Sequence, residues 1–233
     1  MRLTIYIPTF QRPELRTCLD SILPQLNESC RLIVSDNDPD GSARPLCQDH
    51  RIVYSRNWLN VGADGNCLRG ITCCSTEYLW VFGDDDVMLP GAVEATLKLL
   101  RGQDRIIHVG DKHGEVNFGF DGTTAQWVDS LADKSMVVAS TLCTMNVWRV
   151  AALDPYDGIR GLDSRNVVCW AGMKTKTVTV VDKPYVTVGR GHPFPFPNFH
   201  KSMEQYLLGY RSASGCESRF SIAEANHWNY VNA

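Results

Sequence analysis

The stretch YLWVFGDDDVMLPGAV, Tyr78 to Val93, carries a block of aromatic and β-branched residues through one glycine into three consecutive carboxylates. A short apolar run bounded in this way reads as a buried strand, so the carboxylates must lie at a strand end. Like charges a few ångströms apart raise one another's pKa and oppose ionisation, and a positive partner is therefore expected beside Asp84, Asp85 and Asp86. A hard divalent cation, Mg²⁺ or Mn²⁺, accepts carboxylate and phosphate oxygens together, so a carboxylate pair here can hold a metal that bridges a diphosphate. The plainer alternative is a solvated acidic turn capping a helix that starts near Pro90, where Asp is favourable. The strongly apolar strand ahead of the run, and the polar residues that follow the other strands, favour the metal.

Those other strands come early. The segment from Leu3 to Ile7 is β-rich and stops at Pro8, and a polar loop continues through Arg12. Pro13 then stands where a helix begins, with Leu15, Cys18, Leu19, Ile22 and Leu23 on one helical stripe. Arg31 to Ser35 and Arg51 to Ser55 read as the second and third strands, each ending in a polar loop. Strand, helix, strand, strand, helix, strand is the alternation of an α/β fold, with a mostly parallel central sheet of Rossmann-like type flanked by helices. Ligands in such sheets sit at the carboxyl ends of the strands, which groups Thr9 and Arg12 with Asp36, Asn37 and the three aspartates on one edge.

With 233 residues, 44% apolar and 21% charged, the chain is long enough for one sizeable core. Its formal charge of -3 and lack of a basic run argue against a nucleic-acid partner. Nine cysteines, an odd number without paired Cys-x-x-Cys spacing, fit reduced thiols better than a zinc site. The opening MRLTIYIPTF has neither the charged region nor the long apolar region of a signal peptide, so a cytoplasmic protein is expected.

Four segments together resemble the GT-A fold glycosyltransferases of family 2, which move a sugar from a nucleotide-diphosphate donor. IYIPTFQRPELRTCLDSI is similar to that family's first strand, loop and helix, with Pro8, Thr9 and Arg12 at matching places. LIVSDNDPDGS resembles the acidic turn that reads the nucleotide, which puts Asp36 on the base. NVGADGNCLRG resembles the Asn-x-Gly segment, matching Asn60, Gly62 and Asn66, and the aspartate run resembles the Asp-x-Asp region. Phe-Gly-Asp-Asp-Asp is most like bacterial enzymes of O-antigen and capsule synthesis, the abequosyltransferase type among them. Counting back from Pro90, the family's first Asp falls on Gly83, so the metal pair is either Asp84 with Asp86 or is centred on Asp85.

The resemblance implies one domain with a nucleotide-sugar-binding half over 1–101 and an acceptor-binding half over 102–233. Nucleotide-sugar contacts then fall on Pro8, Thr9, Arg12, Asp36, Asn60, Asn66, Asp84 and Asp85, with metal on Asp84, Asp85, Asp86 and His192. Inversion at the anomeric carbon needs a base on the acceptor hydroxyl. The matching residue is Asp163, preceded by Leu162 where the family shows Glu. Asp163 also suits a helix N-cap, and its rivals Asp154 and Asp157 lie in DPYDG, which reads as a turn. The stretch YVTVGRGHPFPFPNFHKS reads as a loop. Trp127 and Trp148 suit either sugar stacking or the core. The implied acceptor is a saccharide or a lipid-linked glycan, and a peripheral membrane contact at the inner face and a longer multidomain chain both stay open. Two other classes compete with sugar transfer. A nucleotidyltransferase usually has a Gly-rich phosphate loop after its first strand, which PTFQRPE lacks, and a non-catalytic glycan- or nucleotide-binding domain on the same fold would need no base.

Overall fold

The computed structural model describes residues 1–110, 120–124, 126, 143–160, 168, 171–172 and 174–189. Its strands are β1 (Leu3–Thr9), β2 (Cys30–Asp36), β3 (Ile52–Arg56), β4 (Tyr78–Val81), β5 (Val87–Met88), β6 (Arg105–Gly110), β7 (Phe120–Thr123), β8 (Asn146–Arg149) and β9 (Thr177–Thr187). The α-helices are α1 (Leu15–Ile22), α2 (Gly62–Cys73), α3 (Ala92–Leu99) and α4 (Pro155–Arg160). All these strands join one sheet in the order β3-β2-β1-β4-β8-β6-β9-β5, with β7 on β9. The first four strands pair in parallel, β1 lying between β2 and β4. β8 then pairs antiparallel with both β4 and β6, so the second half of the chain adds to the same sheet with mixed direction.

Period-two alternation sorts the strands into two cores. Leu3, Ile5 and Ile7 of β1, with Leu32, Val34 and Trp80, pack under the expected stripe of α1, whose Leu15, Cys18, Leu19 and Ile22 are buried. Tyr6, Ile33, Leu79 and Val81 point the other way, toward Ile71 of α2, Trp148 and Leu153. α2 sits close because residue 70 is glycine: a Cβ there would lie 2.8 Å from the Tyr6 ring. Trp148 is fully buried, and Arg105 stacks over it with its guanidinium carbon 4.2 Å from the ring centroid. Of the two roles open to Trp148, the core is the one observed.

Two readings of the second half change. DPYDG lies in helix α4 rather than a turn, because the Asp154 carboxylate accepts the Tyr156 N–H at 3.0 Å and caps its start. The beginning of YVTVGRGH is also not loop: Tyr185, Val186 and Thr187 complete β9. Pro184 is tolerated there because the β6–β9 register is irregular around Val109. Trp127 lies outside the described residues. No helix among the described residues is long and apolar enough to cross a membrane.

His108 of β6 is fully buried, stacked on Trp80 with centroids 4.6 Å apart, and its Nε2 lies 3.0 Å from Thr96 Oγ1. Burial pushes its imidazole down to about 3. Between pH 6.5 and 3 the unfolded chain therefore binds a proton here that the folded chain does not, and stability falls as pH falls through that window. We expect His108→Gln to flatten this loss, by an amount on the order of 3–5 kcal/mol at full development. Urea unfolding of both proteins at pH 7, 5.5 and 4.5 checks this, and a stability difference that does not change with pH would contradict it.

Candidate active site

β1 and β2 end side by side, Thr9 opposite Asp36, and β4 ends one strand over, so the polar residues after these strands meet on one edge. Thr9 is buried, and its hydroxyl donates to Asp84 Oδ2 at 2.7 Å. Half-buried Arg12 follows in the loop, close enough for its charge to favour ionised Asp84. Between them Gln11 holds φ at +52°, a left-handed backbone that non-glycine residues rarely adopt and that concentrates at functional loops. Its side-chain amide donates to Asp38 Oδ2 at 3.1 Å, joining the β1 loop to the β2 loop. Pro8 is half-buried in β1 opposite Ser35.

The β2 end is a closed polar network. Asp36 is fully buried: its Oδ1 accepts the Asp38 N–H at 3.0 Å, and its Oδ2 accepts the Ala43 N–H at 2.9 Å and the Tyr54 hydroxyl at 2.8 Å. Burial, and then the bond to Asp36, push the Tyr54 phenol up to about 12, so it remains a donor. Both oxygens of Asp36 thus fold the turn that the resemblance assigns to the base. Asn66 is buried in α2, where its side-chain oxygen accepts from Ser35 at 2.6 Å and Asn57 at 3.2 Å and its amide donates to the Ser35 carbonyl at 2.9 Å. It ties α2 to β2. Asn60 is exposed, and its Oδ1 accepts the Asn37 amide at 2.7 Å and the Gly62 N–H at 2.8 Å. Asn37 and Asn57, which sequence reasoning left without a role, are the cross-links of this network: Asn57 donates to Asn37 Oδ1 at 2.9 Å.

The three aspartates occupy three different environments. Asp84 is buried, and burial pushes its carboxyl up to about 6; Thr9 and Arg12 oppose that rise and the charge of Asp85 adds to it. Asp85 is half-buried. Asp86 is buried and engaged by the chain itself: Thr144 Oγ1 donates to Oδ2, and the Gly189 N–H donates to Oδ1 at 2.7 Å. Gly83 is glycine for a local reason, since a Cβ there would overlap the Asp86 carboxylate. Among the described residues no three His, Cys, Asp or Glu side chains form a set able to hold a metal. Asp84 and Asp85 supply carboxylate oxygens, the donor type that Mg²⁺ or Mn²⁺ takes together with phosphate oxygens, so the chemistry of the run is compatible with such a cation. Thr144 and Gly189 are partners of the aspartate turn that sequence reasoning did not single out. Asp163 and His192 lie outside the described residues.

Residues 4–135, more than half of the chain, match the family model described as glycosyl transferase family 2. The chain belongs to this family. It is 32% identical over 97 residues to abequosyltransferase RfbV of Salmonella typhimurium, a match covering 38% of this chain and 29% of that protein. It is 26% identical over 150 residues to the GalNAc(5)-diNAcBac-PP-undecaprenol beta-1,3-glucosyltransferase of Campylobacter jejuni, covering 59% of this chain and 48% of that one. The chain thus spans under half the length of these two curated relatives. Among solved structures it resembles S. aureus TarS in complex with UDP-GlcNAc, with a TM-score of 0.67 at 12% identity over 98% of this chain and 72% of that one. It also resembles mannosyltransferase PcManGT of Pyrobaculum calidifontis, in complex with GDP-Man and Mn²⁺, with a TM-score of 0.55 at 12% identity over 97% and 68%. The GT-A architecture expected from sequence is the fold this chain shares with these solved structures.

The different settings of the aspartates separate their roles in stability. Gly83→Ala is expected to cost about 1–3 kcal/mol, because the new methyl must displace the buried Asp86 carboxylate. Asp85→Ala is expected to change stability by less than about 0.5 kcal/mol. Chemical denaturation of both variants in chelator checks the pair; an Asp85→Ala loss as large as that of Gly83→Ala would show that Asp85 is also structural.

Proposed function

We propose that the chain transfers a sugar, with inversion, from a nucleotide-diphosphate donor to a saccharide or lipid-linked glycan during synthesis of a bacterial surface polysaccharide. The observation that carries this reading is the meeting of Thr9, Arg12, Asp84 and Asp85 at the carboxyl edge of the sheet in a chain of this family. A lipid-linked acceptor is supported by the Campylobacter relative, whose name contains an undecaprenol diphosphate. The proposed site of action is cytoplasmic, at the inner face of the membrane.

In the proposed reaction a base removes the proton of the acceptor hydroxyl as its oxygen attacks the anomeric carbon. The carbon–oxygen bond to the diphosphate breaks, and its electron pair leaves with the nucleoside diphosphate. Asp163 is the proposed base. A bound divalent cation, held by Asp84 and Asp85, supplies Lewis-acid stabilisation of the leaving charge. Thr9 holds Asp84 through its hydroxyl, and Arg12 adds positive charge beside it. Pro8 and the Asp36 turn, braced by Asn60 and Asn66, shape the place for the base and ribose. His192, which lies outside the described residues, is the further ligand proposed for the cation.

A panel of nucleoside diphosphates and nucleotide sugars, each with and without Mn²⁺, tests the donor side by thermal denaturation. One base is expected to stabilise the protein only with metal, by about 3 kcal/mol at a hundredfold excess over Kd. No stabilisation of the folded protein by any member would count against transfer and favour a non-catalytic domain. On the acceptor side, Asp163→Asn is expected to keep donor binding and lose slow donor hydrolysis and transfer at least a hundredfold, the low end of general-base contributions. Normal turnover in that variant would remove Asp163 from the role.

A further inference from the structure

Thr144 lies on the short 3₁₀ turn Cys143–Met145 that leads into β8, and it is buried. Its hydroxyl oxygen accepts the Gly83 N–H at 2.8 Å, while its hydroxyl hydrogen goes to Asp86 Oδ2. Its backbone carbonyl accepts the Trp80 indole N–H at 2.7 Å, which fixes the turn against β4. One side chain, 58 residues from Asp86 in sequence, therefore holds both ends of the four-residue turn that carries Asp84 and Asp85. The turn also closes on itself through the Asp86 N–H and the Gly83 carbonyl, at 3.3 Å. Its far side is covered by Gly189, where a Cβ would overlap the Asp85 carbonyl.

The hydroxyl is used in both senses, as acceptor and as donor. Valine has nearly the same shape and can do neither, whereas serine keeps both. A carboxylate pair that must converge on a cation loses affinity when the backbone beneath it can rotate, because that freedom must then be given up on binding. Partners one layer behind metal ligands typically contribute 10–100-fold in affinity by this orienting effect.

We propose that Thr144 is a positioning residue of the donor site. Through Gly83 and Asp86 it sets the orientation in which Asp84 and Asp85 receive a cation and diphosphate, and it touches neither ligand itself. The proposal rests on the reading that Asp84 and Asp85 hold a divalent cation. It further assigns Asp86 to the support of the turn, with its carboxylate spent on Thr144 and Gly189.

The test uses the full chain and Mn²⁺ uptake followed by loss of the free-ion paramagnetic resonance signal, in the presence of UDP or GDP, with melting temperatures measured separately in chelator. Thr144→Val is expected to weaken Mn²⁺ uptake about 10–100-fold, and Thr144→Ser to stay within about threefold of the parent protein. Thr144→Ala, which leaves a small space instead of burying a branched apolar group, is the second variant and is expected to show the same loss as valine. A folded valine or alanine variant with parental Mn²⁺ affinity overturns the proposal. Equal losses in the serine and valine variants also overturn it, since packing rather than the two hydrogen bonds would then be responsible. A parent protein that takes up no Mn²⁺ with either nucleotide overturns the cation reading itself, and that result is distinct from the other two.

Discussion

The buried carboxylate of Asp86 is the constraint around which the carboxyl edge of the sheet is arranged. A carboxylate removed from water must be matched by hydrogen-bond partners, and here donors come from distant parts of the chain: the Thr144 hydroxyl before β8 and the Gly189 amide after β9. Meeting that requirement brings the second half of the chain onto the aspartate turn. The same arrangement explains why residue 83 has no side chain and why residue 189 has none, since each passes against the turn where a Cβ would collide. In the proposed function, the neighbouring Asp84 and Asp85 are the pair that would meet the cation and diphosphate.

A second polar system works in parallel at the ends of β2 and β3. Asp36, Asn37, Asn57 and Asn66 satisfy one another and the loop amides, so two loops and the start of α2 are cross-braced by hydrogen bonds. Interior networks of this kind specify one arrangement because any member left unpaired costs its desolvation. Loops at a strand edge need this definition, because they project beyond the packed layers that fix the strands.

The parallel core and its helices were legible in the sequence because period-two and period-3.6 patterns report directly on which face is buried. Leu15, Cys18, Leu19 and Ile22 mark α1, and Leu3, Ile5 and Ile7 mark one side of β1. The convergence of Thr9, Arg12 and the aspartates was legible too, since carboxyl ends of parallel strands must share an edge. The division of labour among the three aspartates was not. It depends on Thr144 and Gly189, residues 58 and 103 positions from Asp86, and local pattern carries no such pairing. α4 and the end of β9 were misread for a related reason: Pro155, and the glycines and prolines of YVTVGRGHPFPFP, are turn signals in isolation, and the Asp154 cap and the pairing of β9 with β5 and β6 are tertiary facts. Asp36 shows a third case: motif likeness assigns its carboxylate to the base, whereas the bonds the carboxylate makes in the structure go to the chain itself.

The bond from Gly189 to Asp86 also has a consequence in time. During synthesis, β1 to β4 with α1 and α2 are complete by residue 81, and their contacts are largely between neighbouring segments. The aspartate turn leaves the ribosome next, yet one of the donors to its buried carboxylate is about a hundred residues away on a segment that does not yet exist. Domains generally begin to fold from the N-terminal side as they emerge, and long-range closures come late because their loop entropy must be met first. The nascent chain thus holds a folded sheet with an unfinished aspartate turn until β9 arrives, and the edge where the substrates are proposed to bind is among the last parts of the molecule to take its final form.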